Sequence, residues 1–343
     1  MIYDYFANVT KRLEENLKHY DCSLCELENK RQGQKQKRKE ISRQIEQVKQ
    51  KLRDHWKGEA KGDQSRVLAT QIADDTAVWW FKELPRKEDA RTEVYIPIAK
   101  GLTIKVGDCL DFHPNFSSLP SATWLALQVD FELLTPWYSK DDRVFHVMDN
   151  PVRKDRVFGV PFMAASSWKG MLRWAFRMHT KLIGPEKESD EEKRKQAQAW
   201  ELHLFGNEKG EEDHEKLHQG ALVFYPTWFD RIGFEVINPH SRERRAGTQP
   251  IYYEVVPPGG KGTLSLLYAP WPGMKPAATP QDVIPKLLEA VEDLLTNYGI
   301  SAKRTVGWGT AKITEWRAFH KTHVSIQKNS RNGLWQGIQS WLP

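Results

Sequence analysis

The chain has 343 residues, 39% hydrophobic, 28% charged and 11% aromatic, with a mean hydropathy of −0.65 and a formal net charge of +6. That length suits about two domains of roughly 150 residues, and fourteen Trp with fourteen Phe exclude a wholly disordered chain. No apolar stretch approaches the roughly 18 residues of a membrane span, the N-terminus lacks the apolar core of a signal peptide, and Cys22, Cys25 and Cys109 are too few for a disulfide framework, so a cytosolic protein is expected.

In chain order, Tyr3, Phe6, Val9, Leu13, Leu17 and Tyr20 recur at helical spacing and predict a first helix ending near Tyr20. His19, Cys22 and Cys25 form H-x-x-C-x-x-C, half of a zinc site without a second C-x-x-C; ordinary cysteines are the plainer reading. Between Glu28 and Lys57, eleven Lys and Arg face four Asp and Glu, an excess of seven that is larger than the net charge of the whole chain. Ile41, Ile45, Val48 and Leu52 add one apolar stripe, so this is a basic amphipathic helix. It is either a solvated helix leaning on a neighbour or a nucleic-acid contact. Residues 1–60 thus read as a helical hairpin.

Trp124 to Thr135 alternates Leu125, Leu127, Val129, Phe131 and Leu133 with Gln128, Asp130 and Glu132, the period of a half-buried strand. A loop from Pro136 to Asp155 and a short apolar run, Phe158 to Phe162, precede a helix capped by Ser166 or Ser167, with Trp168, Met171, Leu172, Ala175 and Phe176 on its buried face and Lys169, Arg173 and Arg177 on another. Residues 185–216 alternate Lys with Glu or Asp and read as a solvated helix and loop. Strands are expected at 221–225, 232–237, 251–256 and 263–268, then an amphipathic helix over Ile284 to Leu295 stopped by Gly299, then a strand from Ala311 to Trp316. The alternation favours an α+β fold of ferredoxin-like (RRM-like) βαββαβ type over a long parallel sheet. No GxGxxG or Walker A stretch and no clear repeat is present.

Two segments carry candidate chemistry. In DNPVRKDRVFGVPFMAASSWKGMLRWAFR, Asp149 to Arg177, small residues at a helix start let backbone N–H groups approach a phosphate, while Lys169 and Arg173 add charge. In GISAKRTVGWG, Gly299 to Gly309, glycines bracket Lys303 and Arg304, so the backbone can press on a sugar-phosphate chain that two cations neutralise. A generic turn also explains either segment alone; together they point to RNA or DNA.

These residues resemble the RAMP superfamily of CRISPR effector proteins, and within it the backbone subunits of type III interference complexes. Asp149-Asn150-Pro151-Val152 with Arg153 and Asp155, then G-V-P-F, then Ser166-Ser167-Trp168-Lys169-Gly170 and Arg173, is similar to the family's helix-start stretch, and Gly299 to Gly309 is similar to its C-terminal glycine-rich loop. Ile237 to Tyr268, with Arg242, Arg244 and Arg245, resembles a third segment, of basic residues before a Glu-Val-Pro strand turn. Ala164-Ala165 departs from the usual Pro-Gly. The resemblance implies a RAMP core over 121–320, an N-terminal helical extension over 1–120 and a C-terminal tail over 321–343, either a repeated backbone subunit or an end cap. It further implies that Ser166, Ser167, Lys169, Arg173, Arg242, Arg244, Arg245, Lys303 and Arg304 touch guide crRNA. Partners would be crRNA, target RNA and other Cas subunits. Asp149 would correspond to the aspartate that cleaving members need for metal-dependent attack by a 2′-OH, with Mg or Mn as cofactor in that case; a turn residue before Asn150-Pro151 is the competing reading. Asp141, Asp142, His146 and Asp155 share its loop, and His240 is either a general acid or base or a loop residue. Trp79, Trp80, Trp124, Trp137, Trp168 and Trp174 are expected in the core or at subunit interfaces, with base stacking conceivable for Trp137 or Trp308.

Overall fold

The computed structural model describes residues 113–142, 146, 148–155, 159–185, 187–207, 217–239, 250–271 and 278–342, and before them only 26–27, 30, 40, 43–44, 47 and 96–99. By its internal contacts the chain divides into two units. The first comprises residues 1–107, 143–149 and 156–159. In it, Lys30, Glu40, Arg43, Gln44 and Gln47 of the basic segment are helical and exposed, and Ile96–Ala99 form a helical turn. The rest of the helical front lies outside the described residues, including His19, Cys22, Cys25, Trp79 and Trp80.

The second unit takes residues 108–142, 150–155 and 160–343. Its strands are β1 (Leu125–Leu133), β2 (Phe162–Met163), β3 (Leu222–Phe224), β4 (Thr227–Trp228), β5 (Gly233–Ile237), β6 (Ile251–Val255), β7 (Lys261–Tyr268), β8 (Ala311–His320) and β9 (Ile326–Lys328). Its helices are α1 (Ala165–His179), α2 (Glu191–Phe205), α3 (Pro280–Asp293) and α4 (Arg331–Ile338). A five-stranded sheet runs in the order β3-β7-β1-β8-β9, every pair antiparallel. Reading β1, α1, β3, β7, α3 and β8 as the βαββαβ chain, β1 sits between β7 and β8, which is the ferredoxin-like arrangement expected from the alternation. The β2–β4 and β5–β6 pairs and α2 are insertions into that frame.

The helices bury one face of the sheet. Leu127, Val129 and Phe131 of β1 share a core with Trp168, Leu172 and Phe176 of α1 and with Leu287, Leu288 and Val291 of α3, each side chain adding about 1.5–3 kcal/mol of transfer free energy. α3 begins in a capping box between Thr279 and Asp282 and continues as a π turn, Leu294–Tyr298, that ends at Gly299 as expected. α4 joins the same core through Leu334 and Ile338, and Ile326 of β9 packs against it, so much of 321–343 is built into the sheet and its helical layer.

Two local expectations need correction. β1 is not half-exposed: Phe116 and Leu119 pack over Ala126 on its second face, and Gln128 is buried against Ser265 and the carbonyl of Pro114. Asp130 there takes both 2.8 Å hydrogen bonds of Arg317 and the hydroxyl of Thr263; a central strand buries both faces, and its polar residues must pair. Within 185–216, α2 starts exposed under an Asp190 cap but ends with His203, Leu204 and Phe205 buried, Phe205 against Phe176. The charge alternation concealed that C-terminal apolar end.

Candidate nucleic-acid interface

Two loops and one helix start are brought together at one end of the sheet. After β1, Trp137 is fully buried and donates its indole N–H to the Ile300 carbonyl at 3.0 Å, with its ring 4.5 Å from that of Phe229. The next residue, Tyr138, exchanges hydrogen bonds with Ser301: its N–H donates to Oγ at 3.0 Å and its carbonyl accepts from that hydroxyl at 3.1 Å. Burial, and then the nearby Tyr253, Glu254 and Asp141, push the Tyr138 phenol up to about 12. The glycine loop is thereby pinned to the end of β1. Trp137 thus belongs to the core, one of the two places expected for it.

Within the loop the glycines differ. Gly299 (φ +78°) and Gly309 (φ +90°) press on the loop's own backbone: a Cβ on Gly309 would lie 2.3 Å from the Ser301 nitrogen, and one on Gly299 2.7 Å from the Trp308 carbonyl. Gly307 (φ +81°) is exposed and a Cβ there meets nothing within 4 Å. Two of the three therefore fold the loop and do not open it to a ligand. The cations also part company. Lys303 sits over the Tyr253 ring, 5.2 Å from its centroid, whereas the Arg304 guanidinium lies 4.5 Å over Trp174 and its Nη1 is buried without a hydrogen-bond partner.

α1 supplies the facing wall. Its N-cap is Ala164, with no side-chain cap bond, so Ser166 and Ser167 do not cap it. They occupy its first turn and line, with Gly170, Met171 and Trp174 of the same helix, a cleft of ≈ 440 Å³ that Ala302 and Arg304 close from the other side. Trp137, Ser139, Met163, Ile300 and Ser301 complete its lining. An uncapped helix N-terminus leaves N–H groups and a partial positive charge available to an anion.

The remaining candidates fall elsewhere. Lys169 is exposed and does not line the cleft; desolvation and then the Arg173 charge lower its pKa. Arg173 is tied internally, donating to the Gly206 carbonyl and stacking 5.5 Å over Phe205, while Arg177 pairs with Glu201 at 2.6 Å. Arg173 is a bracket between α1 and the end of α2. Arg242, Arg244, Arg245 and His240 lie outside the described residues. Asp149 is exposed and belongs to the first unit. In that unit His146 Nδ1 accepts the Met148 N–H at 2.9 Å. In the second, Asp141 is buried and accepts the Lys154 N–H at 3.1 Å, and the fully buried Lys154–Glu254 pair (2.9 Å) with the Val152 N–H on Glu254 holds the turn in which Asp155 sits. Among the described residues no group of three His, Cys, Asp or Glu is placed to hold a metal ion, so the side chains described do not form a metal cage. Also among them, no helix is long and apolar enough to cross a membrane.

The sequence pattern puts Met171 on a buried helix face and Trp174 in the core or at an interface, and both instead line the cleft. Their spacing from Ser167, four and seven residues, places all three on one helix face; that was the available signal.

A family model described as the RAMP superfamily matches residues 130–312. Among solved structures, a chain from the type III-B Cmr-beta complex bound to cognate target RNA is 15% identical, with a TM-score of 0.40, over 58% of this chain and 62% of that one. A chain from a CRISPR RNA-guided surveillance complex is 11% identical, with a TM-score of 0.38, over 57% of this chain and 68% of that one. This chain thus spans less than two thirds of the first of these. No curated protein matches.

Proposed function

Starting from the fact that the chain belongs to the RAMP superfamily, whose family model covers more than half of it, we propose that it is an RNA-binding subunit of a type III CRISPR-Cas interference complex, in the cytoplasm, holding guide crRNA for pairing with target RNA in antiviral defence. The observation that carries this reading is the cleft in which the uncapped first turn of α1 meets Arg304 of the glycine loop. Residues 130 or more apart in sequence converge there, and they bring what a sugar-phosphate chain needs: a helix start, two hydroxyls and a guanidinium. Lys303 supports the loop from its other side through Tyr253 and contributes to the field.

The chain's work in this reading is to bind and orient RNA. Cutting of target RNA through Asp149, which is exposed, is the second reading. The test of the primary reading is to co-express the chain with its Cas partners and a CRISPR array, purify the particle, and quantify bound crRNA. Arg304→Ala lowers crRNA content relative to protein, while Lys312→Ala, an exposed change on β8, leaves it unaltered. Equal crRNA content in all three particles removes the cleft from guide binding.

A further inference from the structure

The cleft offers a ligand no open aromatic face. The Arg304 guanidinium covers the Trp174 ring at 4.5 Å, with its own Nη1 buried, and Trp137 is fully buried with its indole N–H spent on the Ile300 carbonyl. Among the described lining residues Arg304 is also the only cation. The stacking surface that a base requires is therefore missing, and the charge that holds a phosphate is confined to one side.

Hydroxyls are what remains accessible. Ser139, which follows β1, and Ser166 and Ser167 in the first turn of α1 all line the cleft, and among the described residues their side chains have no hydrogen-bond partner. None of the three is fully buried: Ser166 is exposed, and Ser139 and Ser167 are half-buried. Ser301 differs, being buried and already committed; its hydroxyl accepts from the Tyr138 and Lys303 N–H groups and donates to the Tyr138 carbonyl. Ser139 is held by its backbone, whose carbonyl accepts the Arg153 N–H at 2.8 Å, and α1 fixes the other two. Hydroxyls that both donate and accept, set beside Met171 and Ala302, match a neutral polyhydroxyl ligand with C–H faces. In RNA that ligand is the ribose, whose 2′-OH is both donor and acceptor and is the group that distinguishes RNA from DNA.

Resting on the RNA-binding reading above, we infer that the cleft seats one ribose of the bound strand and reads its 2′-OH through the Ser139, Ser166 and Ser167 hydroxyls, so that this subunit selects RNA over DNA. A contact to sugar carries no base preference, and the sequence of the strand stays free for pairing.

The test uses the full chain and three fluorescein-labelled uridine oligomers of equal length, with ribose, 2′-fluoro and 2′-deoxy sugars. The 2′-fluoro sugar keeps a ribose-like pucker but donates no hydrogen bond, so it separates recognition of the 2′-OH from recognition of backbone shape. The ribose strand binds about 2–13-fold more tightly than either of the others, the range for one neutral hydrogen bond. A triple variant, Ser139→Ala with Ser166→Ala and Ser167→Ala, removes this preference by weakening the ribose strand alone. A urea midpoint no lower than the parent's shows that the variant is folded; should it be lower, Ser139→Ala alone is used, and it narrows the preference. Equal binding of the ribose and 2′-fluoro strands, both weakened by Arg304→Ala, removes the ribose inference and keeps the RNA reading. A ribose preference that survives the triple variant also overturns the inference, because the 2′-OH contact then lies outside the cleft. If no strand binds, or Arg304→Ala changes the affinity of none, the RNA reading of the cleft falls as well.

Discussion

Replacing Gly307 and Gly309 separately by Ala asks whether the glycine loop is built by its own contacts. Both residues have positive φ, +81° and +90°, so each Ala incurs the left-handed strain of roughly 1–2 kcal/mol, offset by about 0.4–1 kcal/mol from the stiffer unfolded chain. At Gly307 nothing lies within 4 Å of the new methyl, and the net cost stays near 1 kcal/mol. At Gly309 the methyl falls 2.3 Å from the Ser301 nitrogen and 2.8 Å from that of Ile300, which are backbone atoms. They move only by giving up the 2.9 Å bond from the Ile300 N–H to the Gly309 carbonyl and by disturbing the buried Ser301 hydroxyl, which is bonded to Tyr138 on both sides. Two or three hydrogen bonds at about 0.5–1.5 kcal/mol each raise the total to roughly 3–5 kcal/mol. Thermal unfolding followed by tryptophan fluorescence measures both variants; at about 2–4 °C per kcal/mol for a domain of this size, Gly309→Ala lowers the melting temperature by about 10 °C and Gly307→Ala by about 3 °C. Equal losses at the two positions would refute the division of the loop into folding glycines and an open one.

Arg173→Ala costs stability, about 1.5–3 kcal/mol for a charged hydrogen-bond donor tied to the Gly206 carbonyl, and leaves RNA affinity within about threefold; a large affinity loss at unchanged stability would return Arg173 to the RNA surface. Tyr138 and Tyr268 are both pushed up to about 12, chiefly by burial, so above pH 10 the unfolded chain ionises first and each contributes a loss of up to ~2.7 kcal/mol as pH rises from 10 to 12. Burial, then His218, lowers the His203 pKa, so stability also falls as pH drops below 6.5, where the unfolded imidazole takes a proton that the folded one resists; chemical denaturation at pH 5.5, 7.5 and 11 checks both limbs, and a flat profile contradicts them. Asp149→Ala in the assembled particle leaves the target-cleavage ladder and the crRNA content unchanged; loss of one specific cut with assembly intact assigns that cut to Asp149.

Local sequence determined the succession of elements. The period of two in β1, the helical spacing of α1 and α3, and Gly299 as a stop are signals carried by neighbouring residues, because strand and helix place side chains at fixed short intervals. They suffice for the ferredoxin-like class, while the assignment of Ser166, Ser167 and Arg304 to RNA rests on the family resemblance. The tertiary structure decided everything that depends on partners far along the chain. Trp137 reaches the Ile300 carbonyl across 163 residues, Arg173 turns to Gly206 across 33, and Lys303 and Arg304, adjacent in sequence, face Tyr253 and Trp174 in different elements. A cation's role follows from the acceptor or ring it meets, and no spacing rule encodes that meeting. Composition therefore located the basic and glycine-rich segments, but only the packing of β1, α1 and the loop after α3 brought the Arg304 guanidinium to the cleft.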